Sequence, residues 1–299
     1  MMSDYVQQQH SVCEFTTSDS WVILSPIEQS IKRKIEAVGT PLKDWDIQIN
    51  YGIKTGFNDA FIISTEKRNE ILANCQTEDE RQRTAELIRP ILRGRDIKRY
   101  GYDWANLFLI ATFPSRHYNI EEYPALKDYL LSFGIERLEQ TGKTHIVNGE
   151  KIKARKKTNN KWFETQDSIS YWEDFSKQQI VWIELSDDPK FALAENIISL
   201  NTVFFMTGEH ILHMLGLLNS KLITWYFQHC IGTTSGVGTN RWLKFTIEQI
   251  PIAPADQSLE KMAADISKKY HENLNRNIDS KVCHLYNLSN EEINFVLSQ

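Results

Sequence analysis

Apolar residues recur with helical spacing toward both ends of the chain. Near the start, isoleucines occupy every fourth position before a Gly-Thr-Pro sequence that ends the predicted helix: Ile27, Ile31 and Ile35. A long helix is predicted over 209–228, where leucines and aromatic residues form one apolar stripe. A charged helix is predicted from about residue 259, and two short helices follow, the last with a Ser-x-x-Glu capping box at 289–292.

Between these helices, short runs of β-branched and aromatic residues predict strands. Residues 47–49 and 60–63 are predicted strands on either side of the sequence GIKTGFND, for which an ordinary hairpin connection is the simpler interpretation. The other predicted strands lie at 107–113, 179–185, 190–194 and 202–207. Further helices are predicted after Thr77 and from Pro124.

Two stretches lack this periodicity. Residues 141–168 are predicted to form an irregular exposed loop, and GTTSGVGTN at 232–240 is a second loop. Strands and helices mingle without regular βαβ alternation, so the predicted fold class is α+β, with mixed small sheets, packed helices and a helical C-terminal segment. The predicted organisation is a polar tail or linker at 1–20, one domain at 21–256 and a C-terminal helical segment at 257–299.

Composition indicates a folded cytoplasmic protein. The chain has 299 residues, of which 41% are hydrophobic and 24% are charged, as in ordinary globular domains. Its apolar runs are too short to cross a bilayer, and its N-terminal sequence lacks the features of a secretory signal. The four cysteines form no Cys-x-x-Cys pair, which favours reduced thiols.

The distribution of charge is more informative than its total. The formal net charge is -5, which does not suggest a nucleic-acid-binding domain. Residues 83–100 nevertheless carry six basic side chains against two acids, and residues 151–162 carry six basic side chains and no acid. Because remote charge is screened over about 8 Å, these two basic islands can still bind a polyanion.

The sequence contains no recognisable catalytic motif. It has neither a GxGxxG fingerprint nor a P-loop, and the only acid-proline step, at 188–190, lacks the second proline and aromatic residue of amino-methyltransferases. Glu150 and Lys151 lack a partner acid for a nuclease site. The isolated pairs His10 with Cys13 and His229 with Cys230 are not expected to bind zinc. We therefore expect no catalytic residues and no metal site in this chain.

The stretch 143–166 is the main candidate for binding a polyanion, because basic and amide side chains alternate there with aromatic ones. Lysines and arginines neutralise phosphates, and arginine, asparagine and glutamine can form paired hydrogen bonds with base edges. The candidates are Lys143, Lys151, Lys153, Arg155, Lys156, Lys157, Asn159, Asn160, Lys161, Trp162 and Gln166. Composition alone favours a solvated basic loop without a ligand.

Further candidates lie elsewhere in the chain, and small residues beside Lys54 in GIKTGFND suit close approach to a phosphate backbone. These candidates are Lys54, Thr55, Asn58, Arg93, Arg95, Ser235 and Arg241. Lys54, Thr55 and the two arginines at 93 and 95 are expected to position a phosphate backbone. Specificity is expected in 143–166, with 54–58 and 235–241 as the alternatives.

Five motifs in order resemble the TaqI-like target-recognition domain, which lies C-terminal to the catalytic domain in type IIG restriction–modification enzymes and related adenine-N6 DNA methyltransferases. The motifs are GIKTGFNDAFII with IRPILRGRDIKRY, WFETQDSISYWEDFSKQQIVWIELSDDPKFAL, NTVFFMTG with MLGLLNSKLITWYF, GTNRWLKFTIEQIPI, and VCHLYNLSNEEI. They span roughly residues 45–299. Cys283 stands where tyrosine is common in the last motif.

The resemblance implies that residues 21–256 recognise double-stranded DNA, and that a catalytic methyltransferase or nuclease domain or subunit is the partner. S-adenosylmethionine and Mg²⁺ are then expected only in those catalytic domains, with no cofactor in this chain. Two alternatives stay open. The chain could act as an adenine-specific methyltransferase or restriction endonuclease, or it could be a scaffold that docks the catalytic subunit without binding DNA.

Overall fold

The computed structural model describes residues 24–234 and 239–299, which form two compact units. The sheet unit comprises Gln48–Ile183 and Ala192–Thr207. The helical unit comprises 24–47, Glu184–Phe191 and Gly208–Gln299. The predicted tail at 1–20 lies outside the described residues, and the domain boundary predicted at residue 256 stays a prediction.

Helices and strands are numbered in chain order over the described residues. The helices are α1 (Pro26–Val38), α2 (Asn58–Phe61), α3 (Thr65–Ala73), α4 (Glu78–Leu87), α5 (Pro124–Leu131), α6 (Ile135–Leu138), α7 (Ile211–Leu218), α8 (Lys221–Tyr226), α9 (Lys244–Ile247), α10 (Gln257–Lys268), α11 (Glu272–Leu285) and α12 (Asn290–Leu297). The strands are β1 (Thr40–Pro41), β2 (Ile47–Tyr51), β3 (Ile62–Ser64), β4 (Ile88–Leu92), β5 (Leu107–Ile110), β6 (Thr144–Val147), β7 (Glu150–Lys153), β8 (Gln178–Ile183), β9 (Ala192–Glu195), β10 (Ile198–Ser199), β11 (Val203–Gly208), β12 (Thr233–Thr234), β13 (Asn240–Arg241) and β14 (Pro251–Ile252).

Two four-stranded sheets form the sheet unit, one in the order β10-β4-β5-β3 and the other in the order β2-β11-β8-β9. Strands β5 and β11 pair with antiparallel neighbours, and β10 pairs with β4 in parallel. In β11 the residues Val203 to Met206 are all buried, as in a strand covered on both faces.

The sequence GIKTGFND connects the two sheets. The strand before it, β2, belongs to one sheet, and β3 belongs to the other, so the expected hairpin connection is wrong. The predicted strand at 60–63 also begins later, because Asn58–Phe61 forms the short helix α2. The loop is therefore anchored at both ends in well-packed structure.

The helical unit packs α1 and the C-terminal helices around a common core. Ile31 and Ile35 of α1 are fully buried, as their spacing predicts. Helices α10 and α7 approach closely, since a Cβ atom on Gly216 would lie 2.8 Å from Cδ1 of Leu259. The hydroxyl of Tyr286 donates to the carbonyl of Pro251 at 2.6 Å, which ties α11 to β14.

The predicted helix at 209–228 is in fact two helices and one π-helical turn. The break falls at Asn219 and Ser220, between α7 and α8. Asn219 turns its side chain to the backbone of Phe191, donating to its carbonyl at 2.8 Å, while the Ser220 hydroxyl caps α8. Side-chain hydrogen bonds of Asn219 and Ser220 thus accompany the end of a helix whose apolar stripe continues.

The observed mixture of small sheets with packed helices and a helical C-terminus confirms the α+β class. The capping box predicted at 289–292 is also present, with the Ser289 hydroxyl accepting from the Glu292 amide at 3.3 Å. None of the helices in the described ranges is long and apolar enough to cross a membrane.

Candidate nucleic-acid interface

Residues 141–168 are not an irregular exposed loop as predicted. Strands β6 and β7 pair as an antiparallel hairpin, and its turn consists of Asn148 and Gly149, with φ of 51° and 85°. Two consecutive residues with positive φ define a type I′ turn, for which Asn-Gly between alternating residues is a strong sequence signal. The hairpin could therefore have been predicted from the sequence.

Exposed lysines cover this hairpin and the strand that leaves it. We call residues 143–161 the hairpin segment, and its exposed lysines are Lys143, Lys151, Lys153, Lys156, Lys157 and Lys161. The structure describes all of residues 139–167, and the only ion pair within this range joins His145 to Glu139 at 3.5 Å. The six ammonium groups therefore project positive charge that no carboxylate of the segment neutralises.

Arg155 has a different position from the one predicted for it, because it is buried. Its side chain is 2% exposed, and Nε donates to the carbonyl of Leu138 at 2.8 Å. One terminal nitrogen donates to the carbonyls of Thr55 and Glu164 at 2.9 and 2.8 Å, and the other donates to that of Trp162. Burial lowers the pKa of Arg155 to about 10, so the side chain stays protonated at neutral pH and clamps the base of the hairpin segment.

Some of the amide and aromatic candidates of this stretch support the fold, and others are accessible at the surface. The side-chain amide of Asn160 donates to the carbonyls of Thr165 and Gln166 at 3.2 and 2.9 Å. Trp162 packs edge-on against Phe163, with ring centroids 5.5 Å apart. Asn159 is exposed and Gln166 is half-buried, so these two amides are the ones left to face a ligand.

The loop after β2 is fastened to the segment that Arg155 clamps. The backbone amide of Lys54 donates to the Asp167 carboxylate at 3.0 Å, and its carbonyl accepts from the Gln166 amide at 3.1 Å. Thr55 is 1% exposed, and its hydroxyl donates to the Asn58 side chain at 2.6 Å. Lys54 and Asn58 are exposed, whereas Thr55 is placed to support them rather than to reach a ligand.

A groove of about 480 Å³ brings three of the predicted residues together. Asn58, Arg93 and Arg95 line it. A hydrogen bond from Arg93 lowers the pKa of Asp96, and the two side chains form an ion pair at 2.7 Å. Arg95 is exposed. The groove therefore has one arginine that is held by an ion pair and a second that is exposed.

Gly94, at the floor of the same groove, leaves no room for a side chain, because a Cβ atom there would lie 2.8 Å from Cγ2 of Ile183. The sequence RGRD therefore places two arginines on the rim around a glycine that packs against the sheet.

Arg241 belongs to the helical unit. Arg241 pairs with Glu184 at 2.6 Å, and both side chains are partly exposed. Next to it, Trp242 is buried and stacks on Phe227 with centroids 3.8 Å apart. Ser235 lies outside the described residues.

Sequence reasoning missed two features of this surface. Ile146, in β6, is 74% exposed. The alternation of side chains between the two faces of a strand at THIV is the sequence signal that could have indicated this exposure. The guanidinium of Arg116 stacks over the Trp172 ring at 3.9 Å, a contact between distant residues that no local pattern indicates. Across residues 24–234 and 239–299, no three histidine, cysteine or carboxylate side chains are grouped as for a metal ion.

Comparison with solved structures gives likenesses of low sequence identity. The type IIL restriction–modification enzyme MmeI, solved in complex with DNA, superposes with a TM-score of 0.52 and 14% identity, over 87% of this chain and 36% of that one. The type IIG restriction endonuclease BpuSI gives a TM-score of 0.48 and 10% identity, over 91% of this chain and 33% of that one. The chain thus spans about one third of each enzyme, and the MmeI likeness shows a shared fold.

Comparison with sequence families is more specific. A search of curated proteins finds no match. The family model of the TaqI-like C-terminal specificity domain matches residues 89–252, which is more than half of the chain. The match includes the hairpin segment, the groove residues at 93–95 and the sheet strands between them, and it confirms the resemblance of the sequence motifs. This chain belongs to the family of TaqI-like C-terminal specificity domains.

Proposed function

We propose that this specificity domain recognises a particular sequence of double-stranded DNA for a restriction–modification system. The observation that carries the proposal is the hairpin segment, where six exposed lysines lack acidic partners on a chain of net charge -5. Such a local concentration of positive charge can neutralise DNA phosphates, and this electrostatic attraction supplies a large share of the affinity for a duplex.

The structure supports a division of work between the candidates. Lys54 and Arg95 are exposed on rigid supports, which suits contacts to the phosphate backbone. Arg93 is held by an ion pair with Asp96 in the same groove, and we assign it to the phosphate backbone as well. The hairpin segment, which includes Asn159, and the nearby Gln166 are the part that we assign to base reading. Arg155 and Thr55 are assigned to support, because burial keeps them from the surface.

The catalytic step is proposed to belong to another domain or subunit. This chain covers 36% of the MmeI chain, and its sequence lacks the motifs of an adenine methyltransferase. A methyltransferase or nuclease domain would supply the S-adenosylmethionine and Mg²⁺ chemistry. Isothermal titration of this chain with S-adenosylmethionine tests the assignment, and we expect no binding heat. Saturable binding would favour the enzymatic alternative.

Selection from a random duplex library tests the recognition itself. The chain should enrich one consensus, and its affinity for that duplex should fall with salt by about 0.9 logarithmic unit per logarithmic unit for each phosphate contacted. An affinity that does not change between low and moderate salt contradicts an electrostatic interface. Enrichment of no sequence would instead favour the scaffold alternative.

A further inference from the structure

The hairpin of β6 and β7 presents two faces of different character. Residues paired across an antiparallel ladder share a face, and the pairs here are Thr144 with Lys153 and Ile146 with Lys151. All four of these side chains are exposed, whereas His145 and Ile152 on the opposite face are half-buried. The outward face therefore consists of two lysines along β7 beside a threonine and an isoleucine along β6.

The exposure of Ile146 matters because of its neighbours. A single apolar residue on a surface needs no explanation, but this one is 74% exposed and lies across the strand from Lys151. An apolar protein partner would have to desolvate the two lysines of this face without compensation. A surface that places an apolar group beside a row of negative charges fits this face better, because the two lysines lie along one strand and Ile146 along the other.

The major groove of DNA has that arrangement. It is about 12 Å wide and admits a two-stranded β-ribbon, whose strands lie about 4.8 Å apart. Phosphates line both of its edges, and each thymine exposes its 5-methyl group at its floor. The minor groove is only about 6 Å wide and shows no methyl group.

We propose that the hairpin enters the major groove, with Lys151 and Lys153 toward phosphates and the side chain of Ile146 against the methyl group of one thymine in the recognised site. This inference rests on the proposed function and names a specificity-determining residue within it. It also explains why a β-branched apolar side chain stands on the outward face of an otherwise charged hairpin.

Replacement of each thymine by deoxyuridine in the selected duplex tests the contact, because deoxyuridine lacks only the methyl group. At one position the wild-type chain should bind the uracil duplex about fourfold more weakly, the loss that corresponds to one buried methyl group. Ile146→Ala should bind the two duplexes alike, and Ile146→Val should retain most of the discrimination. The matched control is Leu131→Ala, an exposed apolar residue of α5, which should discriminate as the wild type does.

Each outcome separates this inference from the proposed function. If the wild-type chain selects no duplex, both fail together. If a duplex is selected but uracil weakens binding at no position, or if Ile146→Ala still discriminates fourfold, only the contact of Ile146 is overturned. Equal weakening of thymine and uracil duplexes by Ile146→Ala also overturns it, since the side chain would then act without reading the methyl group.

Discussion

Basic side chains play opposite parts in the helical unit and in the hairpin segment. In the helical unit several are neutralised by acids distant in sequence: Lys34 contacts Glu292 at 2.6 Å, Arg241 contacts Glu184 at 2.6 Å, and Lys281 contacts Asp256 at 2.9 Å. In the hairpin segment of the sheet unit, the six exposed lysines have no such partners. The ion pairs contribute to the fold, whereas the unpaired charges of the hairpin segment are the ones that we propose for an anionic ligand.

Within the hairpin segment, burial separates a basic residue that supports the fold from basic residues that are accessible to a ligand. Arg155 is of a residue type that commonly contacts DNA, but it is buried like a core residue. The adjacent Lys156 is exposed. Charge along the sequence therefore shows only where positive residues concentrate. The partners that each residue finds in the folded chain decide whether it supports the fold or meets a ligand.

The largest effect is expected from Arg155→Met, which tests whether this residue supports the surface or belongs to it. Loss of the guanidinium removes four hydrogen bonds to carbonyl oxygens, of which that of Glu164 alone keeps a second donor, the Gln140 side chain, at a cost of about 4 kcal/mol in the free energy of unfolding. Urea denaturation measures this change. The control Lys156→Met should stay within about 0.5 kcal/mol of the wild type. A small effect of Arg155→Met would show that this residue does not clamp the hairpin segment.

The next largest effect is expected from Glu292→Gln in the helical unit. Burial alone would raise the pKa of Glu292, but hydrogen bonds from Lys34, the Ser289 amide and Ser30 outweigh it and lower the pKa to about 2. Loss of the charged acceptor should destabilise the chain by about 2 kcal/mol, as measured by thermal denaturation at neutral pH. Glu291→Gln, at an exposed neighbouring position, is the matched control and should have little effect.

The same carboxylate predicts the direction of the pH dependence. Because its pKa is lower in the folded chain than the usual 4.5, the stabilisation is complete above about pH 4.5 and is lost as the pH falls toward 2. The difference in stability between wild type and Glu292→Gln should therefore shrink over this window. A constant difference would contradict the ion-pair explanation.

A smaller effect, on affinity rather than stability, is expected when unpaired lysines are compared with paired ones. Lys151→Gln with Lys153→Gln should weaken DNA binding about 25-fold at about 0.15 M salt, or about fivefold for each phosphate that is no longer neutralised. The control is Lys67→Gln with Lys127→Gln, because these lysines of the same unit pair with Glu70 and Glu121. Fluorescence anisotropy measures both, and equal weakening by the two double variants would contradict the distinction between paired and unpaired charge.

The smallest effect is expected from Arg95→Gln in the groove. Since a phosphate contact carries no sequence information, the change should weaken all duplexes about fivefold without altering the preferred site. Parallel selections with wild type and variant measure this. A changed consensus would move Arg95 from backbone positioning to base reading.

Local patterns in the sequence were sufficient for most elements of the fold. Ile31 and Ile35 identified α1, and the Ser-x-x-Glu sequence at 289–292 identified the start of α12. The break at Asn219 and Ser220 was not predicted, because the apolar stripe of 209–228 continues across it. What ends α7 is a hydrogen bond to Phe191, a residue distant in sequence.

Much less of the candidate site could be predicted. The sequence located the basic stretch but did not separate Arg155 from its lysine neighbours, because its carbonyl partners come from three separate segments of the chain. The hairpin was not predicted although Asn148 and Gly149 indicate it, since charged and polar residues obscure the alternation of its strands. The groove at 93–95 depends on sheet packing around Gly94, which spacing alone does not reveal.

Removal of the hairpin tests most directly whether β6 and β7 carry specificity. The amide of Ala154 donates to the carbonyl of Lys143 at 2.9 Å, so an Asn-Gly turn can replace residues 144–153 and leave Arg155 in place. We predict that this variant keeps the free energy of unfolding to within about 1 kcal/mol of the wild type, still binds duplexes weakly, and no longer enriches the wild-type consensus from a random library. Enrichment of the same consensus as the wild type would contradict the assignment of specificity to the hairpin of β6 and β7.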